Sequence, residues 1–285
     1  MSITIQVFIA CHNRKAKTIT CLKSLTQSAK KNNLDLLLQV HLCDDGSQDN
    51  TSSAVTELLG NQATIVFGNG NLFWNRGMIM AWESYTNRNH EDLILLINDD
   101  VKLTDNSLEI LMNSLVVAAE NSPAIIVGST STIRSNSLSY GGFHRGPWWN
   151  RLKIRRLQPT GQMQSCDTFN CNIVLANVAV FDKIHFLDHR FIHSMGDIDL
   201  GLRAKKVGIP IFIAPGILGH CDENPDIELK LNRWQIIKRV FSVRDCPPGP
   251  WFTLVSRHGG IFWPILFIMP YIKTILGSPR RKSQP

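Results

Sequence analysis

Several signatures that assign a function at sight are missing from this chain of 285 residues. No G-x-G-x-x-G follows the first predicted strand, where the turn reads Ala10-Cys11-His12-Asn13-Arg14 without a glycine. That excludes a nicotinamide-type dinucleotide site, and the missing G-x-x-x-x-G-K-[ST] string excludes a P-loop. The Gly-rich, Arg-containing first loop of a sugar nucleotidyltransferase is missing too. Seven cysteines contain no C-x-x-C pair, which argues against a zinc ribbon or a dithiol redox site; their odd number and their place in apolar runs point to reduced thiols and a reducing compartment. No zinc finger or aromatic-rich RNA-binding strand accompanies the net charge of +7, so nucleic acid is not the expected partner. Internal repeats and low-complexity tracts are absent. Charged residues make up only 19% against 44% apolar, too low a ratio for a disordered chain. Met1 to Ala10 lacks the basic start and the small-residue cleavage site of a signal peptide and reads as a strand.

What is present alternates. Ile3 to Ala10 is a β-branched strand, and Lys15 to Lys31 is a helix with Ile19, Leu22 and Leu25 on one stripe. Leu36 to Leu42 is a second strand, Asn50 to Leu59 a helix, Ala63 to Phe67 a third strand, and a helix is expected near Gly77 to Thr86. Leu93 to Ile97 is wholly apolar, as a strand covered on both faces must be, and Asp105 to Glu120 is the next helix. This order predicts an α/β fold with a mostly parallel sheet flanked by helices. Beyond Pro123 the pattern loosens. Ala124 to Gly128, Asn172 to Phe181 and Ile209 to Ala214 read as strands, Gly196 to Val207 and Asp226 to Val240 as helices, and Ser135 to Pro159 as irregular.

Ligands of such sheets bind beyond the carboxyl ends of the strands, and two acidic strings lie there. Asn98-Asp99-Asp100 ends the buried strand; a carboxylate pair at that point suits a hard divalent cation or phosphate chemistry, the alternative being an ordinary helix start. Asp44-Asp45-Gly46-Ser47 ends the second strand and reads as a nucleoside site or as a turn with a helix cap. Asp197 heads a predicted helix, as a functional acid or as a cap favoured by the helix dipole. Asp199 and Arg203 are spaced to pair on that helix's surface. His220 is a candidate for a metal or a diphosphate, against the plainer reading of a packed histidine.

Together these strings resemble glycosyltransferase family 2, the inverting enzymes of the GT-A fold, over about Ile3 to Asp222. Val7 to Arg14 resembles the family's opening strand, Asp44-Asp45-Gly46-Ser47 its nucleoside loop, Asn98-Asp99-Asp100 its Asp-x-Asp metal motif and Gly196-Asp197 its Glu-Asp pair. Gly68 to Trp74 is similar to rhamnosyltransferase-like members that build bacterial surface polysaccharides. The resemblance implies a metal-dependent transfer, with Mg2+ or Mn2+, from a nucleotide-sugar such as dTDP-rhamnose or a UDP-sugar to a glycan or lipid-linked acceptor of O-antigen, capsule or cell-wall synthesis. It implies Asp197 as catalytic base; Asp44, Asp45, Asn13, Arg76 and Asp99 as nucleotide-sugar contacts; and Asp100 with Asp99 and His220 as metal ligands. Two departures stand out: Asn98 replaces the motif's first acid, and Gly196 replaces the acid before the base. They keep open the alternative of a non-catalytic binding or scaffold protein that retained the fold.

Three parts are expected: a nucleotide-binding half over 1–122, an acceptor half over 123–240, and a C-terminal packing or membrane-associating segment over 241–285. In the last, Ile261 to Leu276 is strongly apolar but broken by Pro264, Pro270 and Lys273. It falls short of the ~20 apolar residues of a bilayer span. With Arg280, Arg281 and Lys282 behind it, it suits an anionic membrane surface, and the expected location is the inner face of the cell membrane, peripheral and cytoplasmic.

Overall fold

Apolar runs bounded by turn residues form the strands, and striped segments form the helices that cover them. A computed structural model describes residues 3–31, 36–120, 122–222, 233–243 and 245–276. The first half runs β1 (Ile3–Cys11), α1 (Lys15–Lys31), β2 (Leu36–Asp44), α2 (Thr51–Leu59), β3 (Ala63–Phe67), α3 (Phe73–Glu83), β4 (Leu93–Ile97), β5 (Lys102–Leu103) and α4 (Ser107–Ala118). The second half adds β6 (Ile125–Ser131), β7 (Leu138–Tyr140), β8 (Gly142–His144), β9 (Arg155–Arg156), β10 (Gln164–Ser165), β11 (Thr168–Phe169), β12 (Ile173–Asn177), α5 (Val178–Ile184), α6 (Gly196–Lys206), β13 (Ile211–His220), α7 (Arg233–Val240), α8 (Pro248–His258) and α9 (Trp263–Ile275).

The main sheet runs β3-β2-β1-β4-β12-β6-β13-β10. β1 to β4 are mutually parallel, and β12 enters antiparallel between β4 and β6. Period-two alternation sorts the side chains to the two faces. Val7, Ile9, Leu93, Leu95 and Ile97 pack with Cys21, Leu22 and Leu25 of α1 and Leu108, Leu111 and Leu115 of α4. Phe8, Ile94 and Leu96 pack on the other side with Met78, Ile79 and Trp82 of α3 and Leu200 and Ala204 of α6.

Three expectations are corrected. The run Asn172 to Phe181 is not one strand: β12 stops at Asn177 and α5 begins at Val178. The β-branched residues that suggested a strand are buried in that helix. The helix after the Gly/Asn loop starts at Phe73 rather than near Gly77, for a reason given below. The strand expected over Ile209 to Ala214 continues to His220. Residues 226–232 of the next expected helix, and the basic string Arg280, Arg281 and Lys282, lie outside the described residues.

The C-terminal segment divides into two parts. Leu254 of α8 joins a third buried cluster with Phe143, Phe191, Ile198 and Leu202, so α8 belongs to the packed body. Much of α9 faces outward, with Ile265, Ile268 and Ile272 exposed. No described helix is long and apolar enough to cross a membrane. All seven cysteines are free and buried.

Candidate active site

β1 is flanked by β2 on one side and β4 on the other, so the chain leaves β1 in one direction and returns to β4 from the other. That switch point opens a crevice at the strand ends. Arg14, just past β1, spans it: its Nη1 donates to Asp99 Oδ1 and to Asp100 Oδ2, both at 3.1 Å. Lys17 Nζ stands 3.7 Å from the same Asp100 oxygen. Asp99 is buried while Arg14 and Lys17 are exposed. Burial pushes the Asp99 carboxyl up to about 6; Arg14 pulls it down and Asp100 pushes it up. Arg14 stood out only as the end of the opening-strand string and Lys17 not at all, because their meeting with Asp99 and Asp100 depends on sheet order.

The acid pair at the end of β2 is held differently. Asp44 Oδ1 accepts from Ser47 N at 2.8 Å. Asp45 Oδ1 accepts from Gly70 N at 2.7 Å, and its Oδ2 from Leu72 N at 2.9 Å and Phe73 N at 3.1 Å. Asp45 therefore caps α3 across the loop, and this is why α3 starts at Phe73. A Cβ at Gly68 would lie 2.4 Å from Asp45 Oδ1, so the clamp needs glycine there. The carboxylate of Asp45, expected as a nucleotide contact, is engaged here by backbone amides. Asn13 is likewise a stitch, donating its N–H to Ser47 Oγ at 2.8 Å and accepting from Gln48 N at 2.7 Å. Arg76 extends from α3 into solvent with no partner among the described residues.

Asp197 sits half-buried in the first turn of α6. Its Oδ1 accepts from Ile198 N at 2.8 Å and its Oδ2 from Asn170 Nδ2 at 3.2 Å. Burial raises its pKa, against the pull of the Asn170 bond. One short piece of chain ties this acid to the β4 tip, and a second ties the tip to the loop that leads into α6. In the first, Asn170 holds Asp197, while two residues on Asn172 O accepts from Asn98 N at 3.2 Å. In the second, Trp74 Nε1 donates to Asn98 Oδ1 at 2.8 Å, and the next residue, Asn75, donates Nδ2 to the carbonyls of Asp188 and Phe191 at 2.9 and 3.0 Å. Asn75 is fully buried, and a Cβ on Gly196 would fall 1.8 Å from its Oδ1. Both departures from the family pattern thus have local partners: Asn98 anchors Trp74, and Gly196 makes room for Asn75.

Behind Asp197, helix α6 is locked by ion pairs. Asp199 is fully buried and accepts from Arg203 Nε at 2.7 Å, Arg257 Nη1 at 2.7 Å and His258 Nε2 at 2.8 Å. Arg257 also reaches Asp188 at 2.8 Å. Burial alone would raise the Asp199 carboxyl; the His258 bond and the two guanidinium charges outweigh it and hold it low. The spacing of Asp199 and Arg203 does make a pair, but it is buried rather than on the helix surface, and α8 supplies the rest of the network.

Among the described residues Asp99 Oδ2 is buried without a partner, and Asp100 Oδ1 meets the Cys221 thiol at 3.3 Å. Two such carboxylate oxygens fit a hard divalent ion. Among the described residues no three metal-ligating side chains gather. The fit is therefore to a cation held by one or two carboxylates, with phosphate oxygens and water completing its shell. His220 does not join them: its Nδ1 engages Ser131 Oγ at 3.1 Å, and the next residue, Cys221, is the one that reaches Asp100.

Comparison with solved structures gives the fold its GT-A class. The mannosyltransferase PcManGT from Pyrobaculum calidifontis, in complex with GDP-Man and Mn2+, superposes with a TM-score of 0.52 at 15% identity, over 94% of this chain and 69% of that one. TarS 1-349 of S. aureus gives 0.57 at 10% identity, over 98% and 76%. GalNAc-T7 with UDP, GalNAc and Mn2+ gives 0.55 at 12% identity, over 75% of this chain and 42% of that one. No curated protein matches by sequence. The model of Glycosyl transferase family 2 matches residues 6–181, more than half of the chain. The chain belongs to glycosyl transferase family 2 and is a glycosyltransferase.

Proposed function

We propose that this enzyme transfers a sugar from a nucleotide-sugar to a glycan or lipid-linked acceptor with inversion, using Asp197 as general base. The observation that supports the reading is the tie through Asn170 and Asn172: Asn170 bonds Asp197, and Asn172 bonds Asn98, the residue before the two acids that follow β4. On this reading Asp197, whose proton affinity burial raises, serves the same crevice as the diphosphate and its cation. The nucleotide-sugar GDP-Man and the nucleoside diphosphate UDP, named with the structural neighbours, support a donor of this class.

In the reaction the acceptor hydroxyl oxygen bonds to the anomeric carbon as the bond from that carbon to the diphosphate oxygen breaks. The hydroxyl proton passes to Asp197, whose other contacts, the Ile198 amide and the Asn170 amide, hold the carboxylate in place. Asp44, with one oxygen fixed by Ser47, would hold the nucleoside. Arg76, exposed on α3, is taken as the diphosphate contact because a guanidinium fork suits phosphate oxygens. Mg2+ or Mn2+ on Asp100 and Asp99 would neutralise charge on the departing diphosphate. A rhamnose or UDP-sugar donor, and a surface-polysaccharide acceptor at the inner face of the membrane, extend the reading; the apolar exposed face of α9 supports peripheral attachment. The test is a screen of nucleotide-sugars by thermal shift and donor hydrolysis, with Mn2+ and with chelator. Stabilisation by one donor class together with metal-dependent hydrolysis supports the proposal. A chain that binds no nucleotide-sugar refutes it.

A further inference from the structure

Trp148 and Trp149 are 67% and 51% exposed. They sit in a finger between β8 and β9, which pair antiparallel with Phe143 opposite Arg156 and His144 opposite Arg155. Two successive turns shape it, closed by Asn150 N to Pro147 O at 2.8 Å and Lys153 N to Asn150 O at 3.1 Å. Its base is fixed: Phe143 is in the buried cluster with Leu254 of α8, and Arg145 Nη2 donates to His258 O at 2.7 Å. The finger is thus rigidly aimed, yet it spends two indoles on solvent.

The finger adjoins the exposed face of α9. The Trp148 ring lies 5.8 Å from that of Phe262, just before α9. From there the apolar surface continues through Ile261 and Ile265, 80% and 59% exposed, to Leu276, 73% exposed. The two stretches that carry this surface hold charge of one sign. Residues 121–166 contain no Asp or Glu, but they hold Arg145, Arg151, Lys153, Arg155 and Arg156. Residues 246–285 are also free of acid and hold Arg257 and Lys273.

We propose that the Trp148–Trp149 finger and the outer face of α9 form one seat for an anionic lipid bilayer, with the indoles at headgroup depth and Arg151, Lys153 and Arg155 against lipid phosphates. The proposal rests on the peripheral attachment read above and adds to it a contact from the catalytic body itself. Indoles favour the boundary where one end is apolar and the other wet, and basic flanks add attraction to anionic lipid. A second copy of the chain is disfavoured as the occupant, because neither stretch carries an acid to meet the other's cations. The seat is also linked to the chemistry: the finger bonds to His258, and His258 bonds to Asp199 on the helix of Asp197.

The test is flotation of the full chain with phosphatidylcholine vesicles, with and without phosphatidylglycerol, at low and high salt. The chain should float with anionic vesicles and be released by salt. The double variant Trp148→Ala/Trp149→Ala should partition about tenfold less. Charge removal at Arg151, Lys153 and Arg155 to Gln should weaken binding by about fivefold per charge. Circular dichroism matching the parent confirms that each variant is folded. If both tryptophan and charge variants float like the parent while Ile265→Asp does not, attachment through α9 stands and this proposal is overturned. If the full chain floats with no vesicle, peripheral attachment falls as well. A concentration-dependent dimer that shields Trp148 from a fluorescence quencher, with no flotation, would assign the surface to a second copy and overturn the proposal.

Discussion

The two acidic strand ends differ less in sequence than in what holds them. At the end of β2, Asp44 and Asp45 are bound by backbone amides, which cannot leave. At the end of β4, Asp99 and Asp100 are bound by Arg14 and Lys17, exposed side chains on flexible stems. A carboxylate saturated by amides is part of the frame. A carboxylate balanced by solvent-facing cations can exchange them for a ligand's charge. The same pair of residues is therefore mostly scaffold in one place and chemistry in the other, with Asp44 between the two.

The comparison can be broken by substitution. The largest effect is expected at Asp197, the acid whose role should be purely chemical. Asp197→Asn should lower turnover between ~10^2- and 10^4-fold while donor binding, followed by thermal shift, persists. Unchanged turnover would return Asp197 to a helix cap. Next, Asp100→Ala should cost ~10^2- to 10^3-fold in turnover, the scale of losing one electrostatic support of the transition state, with little change in melting temperature. Full activity of the parent in chelator would show that the β4 tip holds no cation. Asp45→Ala should do the reverse: three backbone donors lose their acceptor, and stability should fall by about 3 kcal/mol, read in a denaturant melt. A variant as stable as the parent would refute its role as a clamp.

A chain ending at Pro250 sharpens the same contrast. It removes Arg257 and His258 and leaves the buried Asp199 with Arg203 alone. Breaking a buried ion network typically costs 3–5 kcal/mol, so this chain should unfold at lower temperature and lose activity with its fold. The smallest expected effect is on the pH profile. Asp99 is raised to about 6 and Asp197 is raised by burial, so activity should fall as pH drops through about 6. An ordinary aspartate would hold its charge down to ~4. The stability term has the opposite sign: a carboxyl raised on folding favours the folded state at low pH, and that contribution is lost as pH climbs to its folded pKa. A flat profile between pH 5 and 7 would show that neither acid must be ionised for turnover.

Much of the first half was legible because its physics is local. An apolar run such as Leu93 to Ile97 must be covered on both faces, and the alternation of strands and helices dictates parallel pairing. The acids at both strand ends, and Asp197 at a helix head, could be singled out from position. The contacts of Arg14, Trp74, Asn75, Asn170 and Cys221 could not, since each acts on a residue distant in sequence; Arg14 and Trp74 end recognisable strings, but the strings do not say what the side chains meet. The start of α3 was misplaced because its cap is a carboxylate 28 residues upstream. The second half was harder because β-branched residues serve either structure when buried, as Val178 and Val180 do in α5.

The fit of Asn75 against Gly196 makes these two positions evolutionarily interdependent. With Asn75 in place, a Cβ at 196 falls 1.8 Å from its Oδ1, so restoring an acid there requires Asn75 to move. Replacing Asn75 first by a smaller residue removes the donor to the Asp188 and Phe191 carbonyls and loosens the loop that leads into α6. Each single step is thus disfavoured in the background of the other, a case of sign epistasis. Lineages carrying asparagine and glycine here should exchange them only together, and a sequence survey that scores position 196 alone would mistake a coupled replacement for the loss of a functional group.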